Sequence, residues 1–145
     1  MEWTVPDLQT PVDRTPRDVL ARYYQAMLDK SADDLADLYA VDALHEFPFA
    51  APGFPPCFEG REAVRAGYRA AWGASPVEVA EIKEIAAYET ADPSVIIAEQ
   101  IVVGTLPAGR GTLTVPGLLI LHVSGGLIRR VRDYIDGSAA SGARG

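Results

Sequence analysis

The sequence has few of the residues that covalent or metal cross-links require. Its 145 residues include one cysteine, Cys57, and two histidines, His45 and His122. A single cysteine cannot form a disulfide within the chain and is compatible with a reducing compartment. So few soft ligands also argue against a structural zinc site. We therefore expect a fold that depends on its apolar core.

Positive charge and long apolar runs are also scarce. Thirteen Lys and Arg against twenty Asp and Glu give a net charge of −7. Phosphate backbones and anionic membranes require a cationic face, so we expect no nucleic-acid and no membrane partner. The longest strongly apolar stretch, 118–121, is too short for a membrane span, and the acidic N-terminus is unlike a signal peptide. These features predict a soluble, cytoplasmic protein.

Several sequence motifs for catalysis and cofactor binding are missing as well. There is no G-x-S-x-G elbow and no phosphate-binding P-loop. The segment Gly109-Arg110-Gly111 lacks the third glycine of a dinucleotide fingerprint. We therefore expect neither a bound cofactor nor a metal.

What the chain does contain is typical of one globular domain. Apolar residues make up 48 % and charged residues 23 % of the sequence, and the length is that of a single domain. We predict a flexible N-terminal arm at 1–14, one domain at 15–137 and a flexible tail at 138–145.

The first half of the chain predicts helices. Thr15 and Pro16 have the types expected of an N-cap and a first helical residue, and an acid follows three residues after the cap. Apolar residues then recur at helical spacing. Ser31 predicts the start of a short second helix that reaches Tyr39, and a third helix follows Gly60.

The second half predicts strands. Its segments are rich in branched apolar residues and bounded by turn formers, and Gly125-Gly126 suits a two-residue hairpin turn. Helices followed by an antiparallel meander indicate an α+β domain with the helices on one side of the sheet. One short strand is predicted earlier in the chain. The predicted strands are 42–49, 77–88, 95–103, 112–123 and 127–136.

The last strand directs a carboxylate towards its apolar face. Alternation places Asp133 with Val131 and Ile135, and places Arg130 and Arg132 on the opposite face. Burial disfavours the charged form of a carboxylate, so a residue in this position can serve as a general acid or base. The alternative is a structural aspartate that is held by an arginine or a backbone amide.

The first strand offers two more polar candidates. His45 and Glu46 point to opposite faces, and the sequence does not decide which of them faces the interior. A histidine among apolar neighbours is also typical of a core residue.

The apolar loop 49–58 either packs as structure or lines a ligand cavity. If Leu119 and Leu121 face the cavity, His122 and its apolar neighbours lie on the outer face of the sheet, which indicates a dimer interface.

Four segments together resemble the SnoaL-like branch of the nuclear transport factor two-like superfamily, across about residues 15–137. They are TPRDVLARYYQAML, DLADLYAVDALHEFPFA, FEGREAVRAGY and GGLIRRVRDYIDG. The resemblance implies a curved antiparallel sheet that the N-terminal helices wrap into a cone with an apolar pocket, a cystatin-like α+β barrel. It also implies a homodimer formed through the outer sheet face. Members include ketosteroid isomerases, polyketide cyclases, limonene epoxide hydrolases and binding or assembly domains without catalysis.

The resemblance also implies roles for individual residues. Tyr24 falls where ketosteroid isomerases place their oxyanion-hole tyrosine, while their two aspartates fall on Phe47 and Leu119. Asp133 matches the catalytic aspartate in the closing motif of limonene epoxide hydrolases. That enzyme's arginine and second aspartate fall on Gln100 and Val102, and Glu46 echoes part of its water-positioning pair.

These inferences predict an enzyme for a small apolar polyketide-, terpenoid- or steroid-like molecule. It would use acid/base chemistry of the isomerase, cyclase or hydrolase type without a cofactor. The alternative is a non-catalytic domain that binds a small ligand or mediates dimeric assembly. The expected catalytic residues are Asp133, Glu46, His45 and Tyr24. The expected substrate-binding residues are Tyr39, Phe47, Phe54, Phe58, Tyr68, Trp72, Gln100, Val102, Leu119, Leu121, Val131 and Ile135.

Overall fold

A computed structural model describes residues 13–50, 53 and 55–136. Most of the predicted arm, the predicted tail and Phe54 lie outside the described residues. The helices of the described part are α1 (Pro16–Leu28), α2 (Ala32–Ala36) and α3 (Arg61–Ala74). The strands are β1 (Tyr39–Glu46), β2 (Cys57–Glu59), β3 (Glu78–Glu89), β4 (Val95–Thr105), β5 (Thr112–Ser124) and β6 (Leu127–Ile135).

The helix starts predicted from the sequence are confirmed by hydrogen bonds. The Thr15 hydroxyl accepts from the Asp18 amide at 3.1 Å, and the Asp18 carboxylate accepts from the Thr15 amide at 2.9 Å. Ser31 caps α2 by accepting from the Asp34 amide at 3.1 Å. Each bond satisfies an amide that the first helical turn leaves without a partner. These caps fix where α1 and α2 begin.

The six strands form one curved sheet in the order β2-β1-β6-β5-β4-β3. The four C-terminal strands are an antiparallel meander, as predicted, and Gly125 and Gly126 turn the β5–β6 hairpin with φ of 63° and 75°. Positive φ at both turn residues is the geometry that glycine favours. The sheet is mixed rather than wholly antiparallel, because β1 pairs with β6 in parallel. Alternation assigns faces to a strand but not the direction of its neighbour.

The first two strands differ from the prediction. Tyr39 belongs to β1 instead of the second helix, because its backbone pairs with Ile128 of β6. The strand ends at Glu46, short of the predicted residue 49. The apolar loop contributes a strand of its own, β2, which pairs with the end of β1. Backbone pairing with distant partners, invisible in the local pattern, decides all three differences.

The core lies between the helices and the concave face of the sheet. Val19, Leu20 and Tyr23 of α1 are fully buried there, as are Leu119 and Leu121 of β5. The apolar stripe of α1 and the alternating inner residues of the strands account for this packing. Towards one end of the sheet the helices and strands separate and enclose a cavity.

Candidate active site

A cavity of about 740 Å³ lies between the concave face and the helices α1 and α3. Its volume is in the range of small-molecule sites. Most of its wall is apolar. The predicted residues that line it are Phe47, Phe58, Tyr68, Trp72, Gln100, Val102, Leu119, Asp133 and Ile135. Further lining residues include Tyr23, Met27, Lys30, Val77, Val79, Leu113 and Val115.

Asp133 is the only acidic side chain among the described residues of the cavity wall. It is 9 % exposed, and its inward direction follows from its place between Val131 and Ile135 on β6. Its Oδ2 lies 3.1 Å from Nε2 of His45. No arginine or lysine of the described chain forms an ion pair with it. The carboxylate is therefore held by a histidine, and the Tyr68 hydroxyl faces it.

His45 stands behind Asp133 and is fully buried. The Tyr39 hydroxyl lies 2.7 Å from Nδ1 of His45. When the Tyr39 phenol donates to Nδ1, the ring proton lies on Nε2, from which it is donated to Asp133. Tyr39, His45 and Asp133 thus form a hydrogen-bonded chain that runs from the core to the cavity. His45 is not among the residues that line the cavity, and its hydrogen bond to Asp133 is its link to the wall.

Two more tyrosines complete this polar cluster. The Tyr68 hydroxyl lies 3.3 Å from Nε2 of His45 and faces the Asp133 carboxylate. The Tyr23 hydroxyl faces those of Tyr39 and Tyr68. Burial is the main cause that raises the pKa of all three phenols well above their usual value, and the nearby carboxylate adds to it. All three therefore remain protonated donors at neutral pH.

Glu46 lies on the outer face, so the structure answers the question of which strand residue points inward. Its carboxylate accepts from the Arg130 guanidinium at 2.5 Å and lies 3.4 Å from that of Arg132. The hydrogen bond from Arg130 is the main cause that lowers the pKa of Glu46. Glu46 is a surface ion-pair residue and is not brought together with Asp133.

Tyr24 is also placed outside the cavity wall. Its hydroxyl donates to the Glu84 carboxylate at 3.1 Å, and burial raises its pKa. Its neighbour Tyr23 faces the cavity instead, because consecutive residues of a helix differ by about 100° in direction. Tyr23, rather than the predicted Tyr24, is the tyrosine of α1 that lines the cavity.

Three other predicted binding residues lie in the core behind the cavity. Tyr39, Leu121 and Val131 are fully buried, and they are not part of the described wall. Alternation gives the correct face for Leu121 and Val131, but the cavity occupies only part of that face. These three side chains pack in the core between the sheet and the helices.

Sequence reasoning missed Lys30 and undervalued Tyr23 as cavity residues. The apolar stripe of α1 contained a signal for Tyr23, since it lies among buried residues of that helix. Lys30 follows the helix end, where no periodicity applies. Its left-handed backbone, with φ of 49°, brings its side chain to the cavity.

Gln100 is a polar residue of the cavity wall, and its side-chain oxygen has no hydrogen-bond partner among the described residues. It is 5 % exposed, and its Oε1 is buried without a hydrogen-bond partner in the part of the chain that the structure describes. A buried unpaired oxygen is costly. Such groups are rare in cores and are more typical of functional sites.

Residues 13–50, 53 and 55–136 also bear on metal binding and membrane insertion. There, no three His, Cys, Asp or Glu side chains come close enough to hold a metal ion. None of the helices in these ranges is long and apolar enough to cross a membrane.

Comparison with known proteins places this geometry in a family. The model of the SnoaL-like domain matches residues 20–131. The chain is 29 % identical over 118 residues to an uncharacterized PhzA/B-like protein of Pseudomonas aeruginosa, covering 81 % of this chain and 82 % of that protein.

Solved structures share the fold. A Bacillus subtilis protein, provisionally named an isomerase, superimposes with a TM-score of 0.77 at 24 % identity, covering 88 % of this chain and 90 % of that one. The Δ5-3-ketosteroid isomerase of a Mycobacterium species gives a TM-score of 0.69 at 21 % identity, covering 87 % and 97 %. At these identities the likeness establishes the architecture of a ketosteroid isomerase-like cone.

Proposed function

The chain belongs to the SnoaL-like domain family, and from that premise we propose that it is an enzyme that moves protons on a small, largely apolar molecule with its own side chains. The reaction classes in view are isomerisation, cyclisation and hydration or hydrolysis of a polyketide-, terpenoid- or steroid-like compound. The observation that carries the proposal is the Asp133 carboxylate, which lines an apolar cavity and is hydrogen-bonded to His45.

Asp133 is the proposed catalytic acid/base, because it is the ionisable group of the cluster that lines the cavity wall. A carboxylate compensated by an arginine would be fixed in its charged form. Asp133 is hydrogen-bonded to His45 and has no arginine or lysine ion pair among the described residues, and we assign it the role of accepting a proton from a substrate carbon or oxygen and returning it.

His45 and Tyr39 are proposed as positioning residues. Their hydrogen-bonded chain fixes the orientation of the carboxylate, with distances of 2.7 Å and 3.1 Å along it. Tyr68 and Tyr23 reach the cavity wall as protonated phenols and are proposed as donors to a substrate oxygen. This replaces the role first expected of Tyr24. A buried donor aimed at developing negative charge stabilises an enolate-like intermediate.

A proton-exchange assay tests the acid/base role without knowledge of the natural substrate. The ketone 2-tetralone is incubated with the protein in D₂O, and deuterium incorporation next to the carbonyl is followed by NMR. We expect exchange above the buffer rate, and Asp133→Asn should reduce the protein-catalysed rate at least about 100-fold. The matched control is Asp42→Asn, an exposed aspartate on β1, which should leave the rate unchanged.

Equal rates for the wild type and Asp133→Asn would reject the acid/base role. Binding of 2-tetralone without exchange would favour the alternative function, a non-catalytic protein that holds a small ligand in the same cavity. The pH profile of exchange distinguishes a positioning role of His45 from a purely structural one. If His45 orients and polarises the Asp133 carboxylate, His45→Gln should shift the profile.

We further propose that the protein acts in the cytoplasm as a homodimer formed through the outer sheet face. Tyr88, Ile97 and Ile120 form a continuous cross-strand row on that face, and Tyr88 is 51 % exposed. An apolar outer row of this kind supports burial against a second copy. Sedimentation should give a dimer for the wild type and a monomer for Ile120→Lys; a monomeric wild type would reject the interface.

A further inference from the structure

A charged side chain lies in the apolar wall of the cavity without a charged partner. Lys30 is the only cation among the described residues that line the cavity, and it is partly buried. Its ammonium donates to the backbone carbonyls of Ser75 at 3.1 Å and Val77 at 2.8 Å. An ammonium has three N–H donors, so one remains for another acceptor. No carboxylate of the described chain forms an ion pair with it.

The backbone at Lys30 is unusual for a lysine. Its amide donates to the Met27 carbonyl at 3.1 Å, and the Ser31 amide donates to the Ala26 carbonyl at 2.9 Å. These two bonds are the Schellman pattern, and Lys30 occupies its left-handed position with φ of 49°. Glycine is favoured there because it has no Cβ. A lysine at this position directs a long cationic side chain from the helix end to the cavity.

Lys30 and Asp133 lie towards opposite ends of the cavity. Val77, to which Lys30 is bonded, packs on Gly104, and Gly104 pairs with Leu113 of β5. Asp133 pairs instead with Leu119, six residues further along β5. At about 3.3 Å per residue, this is up to roughly 20 Å along the strand. The wall between the two ends is mostly apolar.

We propose that the ligand of this cavity is an elongated apolar carboxylic acid, whose carboxylate binds the Lys30 ammonium while its far end reaches Asp133. An ammonium that is partly removed from water and already held by two carbonyls is preorganised for an anion. The apolar wall fits a hydrocarbon body, and the cavity volume accommodates a chain or fused rings of this length. This inference deepens the proposed function, because it assigns a substrate class to the same cavity.

Calorimetric titration with dodecanoate and with dodecan-1-ol tests the inference. The two probes share one hydrocarbon chain and differ in charge. We expect the wild type to bind dodecanoate at least about tenfold more tightly than the alcohol, which is the size of a charge-assisted hydrogen bond. Lys30→Met should remove that preference, and Lys30→Arg should retain most of it.

Lys83→Met is the matched control. Lys83 is the other lysine of the chain and is exposed on β3, so its loss should leave both affinities unchanged. Lys30→Gly is a second variant, since glycine suits the left-handed backbone while removing the ammonium. It should fold and should also lose the preference for dodecanoate.

Two results would overturn the inference. One is a wild type that binds the alcohol as tightly as the acid. The other is an equal loss of both affinities in Lys30→Met and Lys30→Gly, which would make Lys30 a structural link between α1 and β3. Because binding is measured without turnover, a failure here is distinct from a failure of proton exchange.

Discussion

The two faces of the β1–β6 strand pair hold carboxylates in opposite ways. On the inner face, Asp133 is bonded to His45 and faces phenol groups. On the outer face, Glu46 is paired with Arg130 and Arg132. The Arg130 guanidinium lowers the pKa of Glu46, whereas Asp133 has no arginine or lysine partner among the described residues. One pair of strands thus separates a structural carboxylate from a candidate catalytic one by direction alone.

The buried tyrosines of the inner face should make the protein less stable at high pH. This is the largest effect that we expect. Burial raises the pKa of Tyr23, Tyr39 and Tyr68, whereas tyrosines of an unfolded chain ionise near pH 10. The unfolded state then releases protons that the folded state retains. The free energy of unfolding should fall above about pH 10, by up to about 4 kcal/mol per pH unit for three groups. Urea unfolding as a function of pH measures this slope.

The outer face should respond at the opposite end of the pH scale. Arg130 lowers the pKa of Glu46, so the stabilisation is present above the unfolded value of about 4.3 and is lost as pH falls through the folded value. Glu46→Gln should flatten the acid limb only, and Tyr23→Phe should flatten the alkaline limb only. If the alkaline slope is unchanged in Tyr23→Phe, the loss of stability at high pH does not arise from the Tyr23 hydroxyl.

Neighbouring substitutions on β1 compare the two faces directly. His45→Ala removes a fully buried ring and leaves the Tyr39 hydroxyl and Asp133 without their partner. We expect a loss of about 3 kcal/mol in the free energy of unfolding. Glu46→Ala should cost about 1 kcal/mol or less, since exposed ion pairs contribute little. Equal losses in urea denaturation would show that the inner cluster is no more important to stability than the outer pair.

Two glycines of α3 provide a second comparison. A Cβ at Gly67 would lie 2.4 Å from the Phe58 ring, whereas a Cβ at Gly73 would have no neighbour within 4 Å. Gly67→Ala should destabilise the protein by about 1–3 kcal/mol and narrow the cavity. Gly73→Ala should stabilise it by up to about 1 kcal/mol, because alanine is the better helix former. Thermal unfolding of both variants measures the difference, and a stabilised Gly67→Ala would mean that the Phe58 ring moves freely.

The smallest effect is expected at Gln100. Its Oε1 has no hydrogen-bond partner among the described residues, which costs stability, so Gln100→Leu should raise the free energy of unfolding by about 1 kcal/mol. The same change should weaken the binding of ligands that carry a hydrogen-bond donor. A variant that is less stable than the wild type would show that the amide has a structural partner. Thermal unfolding with and without ligand distinguishes these outcomes.

Local pattern was sufficient for much of the fold. The capping box at Thr15, the glycine hairpin and the antiparallel meander follow from residue types and spacing, and each is present. Alternation on β6 also placed Asp133 with Val131 on the inner side. These features depend on neighbours within a few residues, where backbone geometry dictates the outcome. The parallel pairing of β1 with β6 depends on residues far apart in the chain, and no local pattern contains it.

The site itself was determined only in part by sequence. The pattern established that His45 and Glu46 point to opposite faces and that Asp133 lies on an apolar side. Tertiary structure decided that His45 is inside, that Tyr23 rather than Tyr24 reaches the cavity and that Lys30 joins its wall. Periodicity defines relative directions within one element. Which direction is inward depends on how helices and strands from distant parts of the chain pack together.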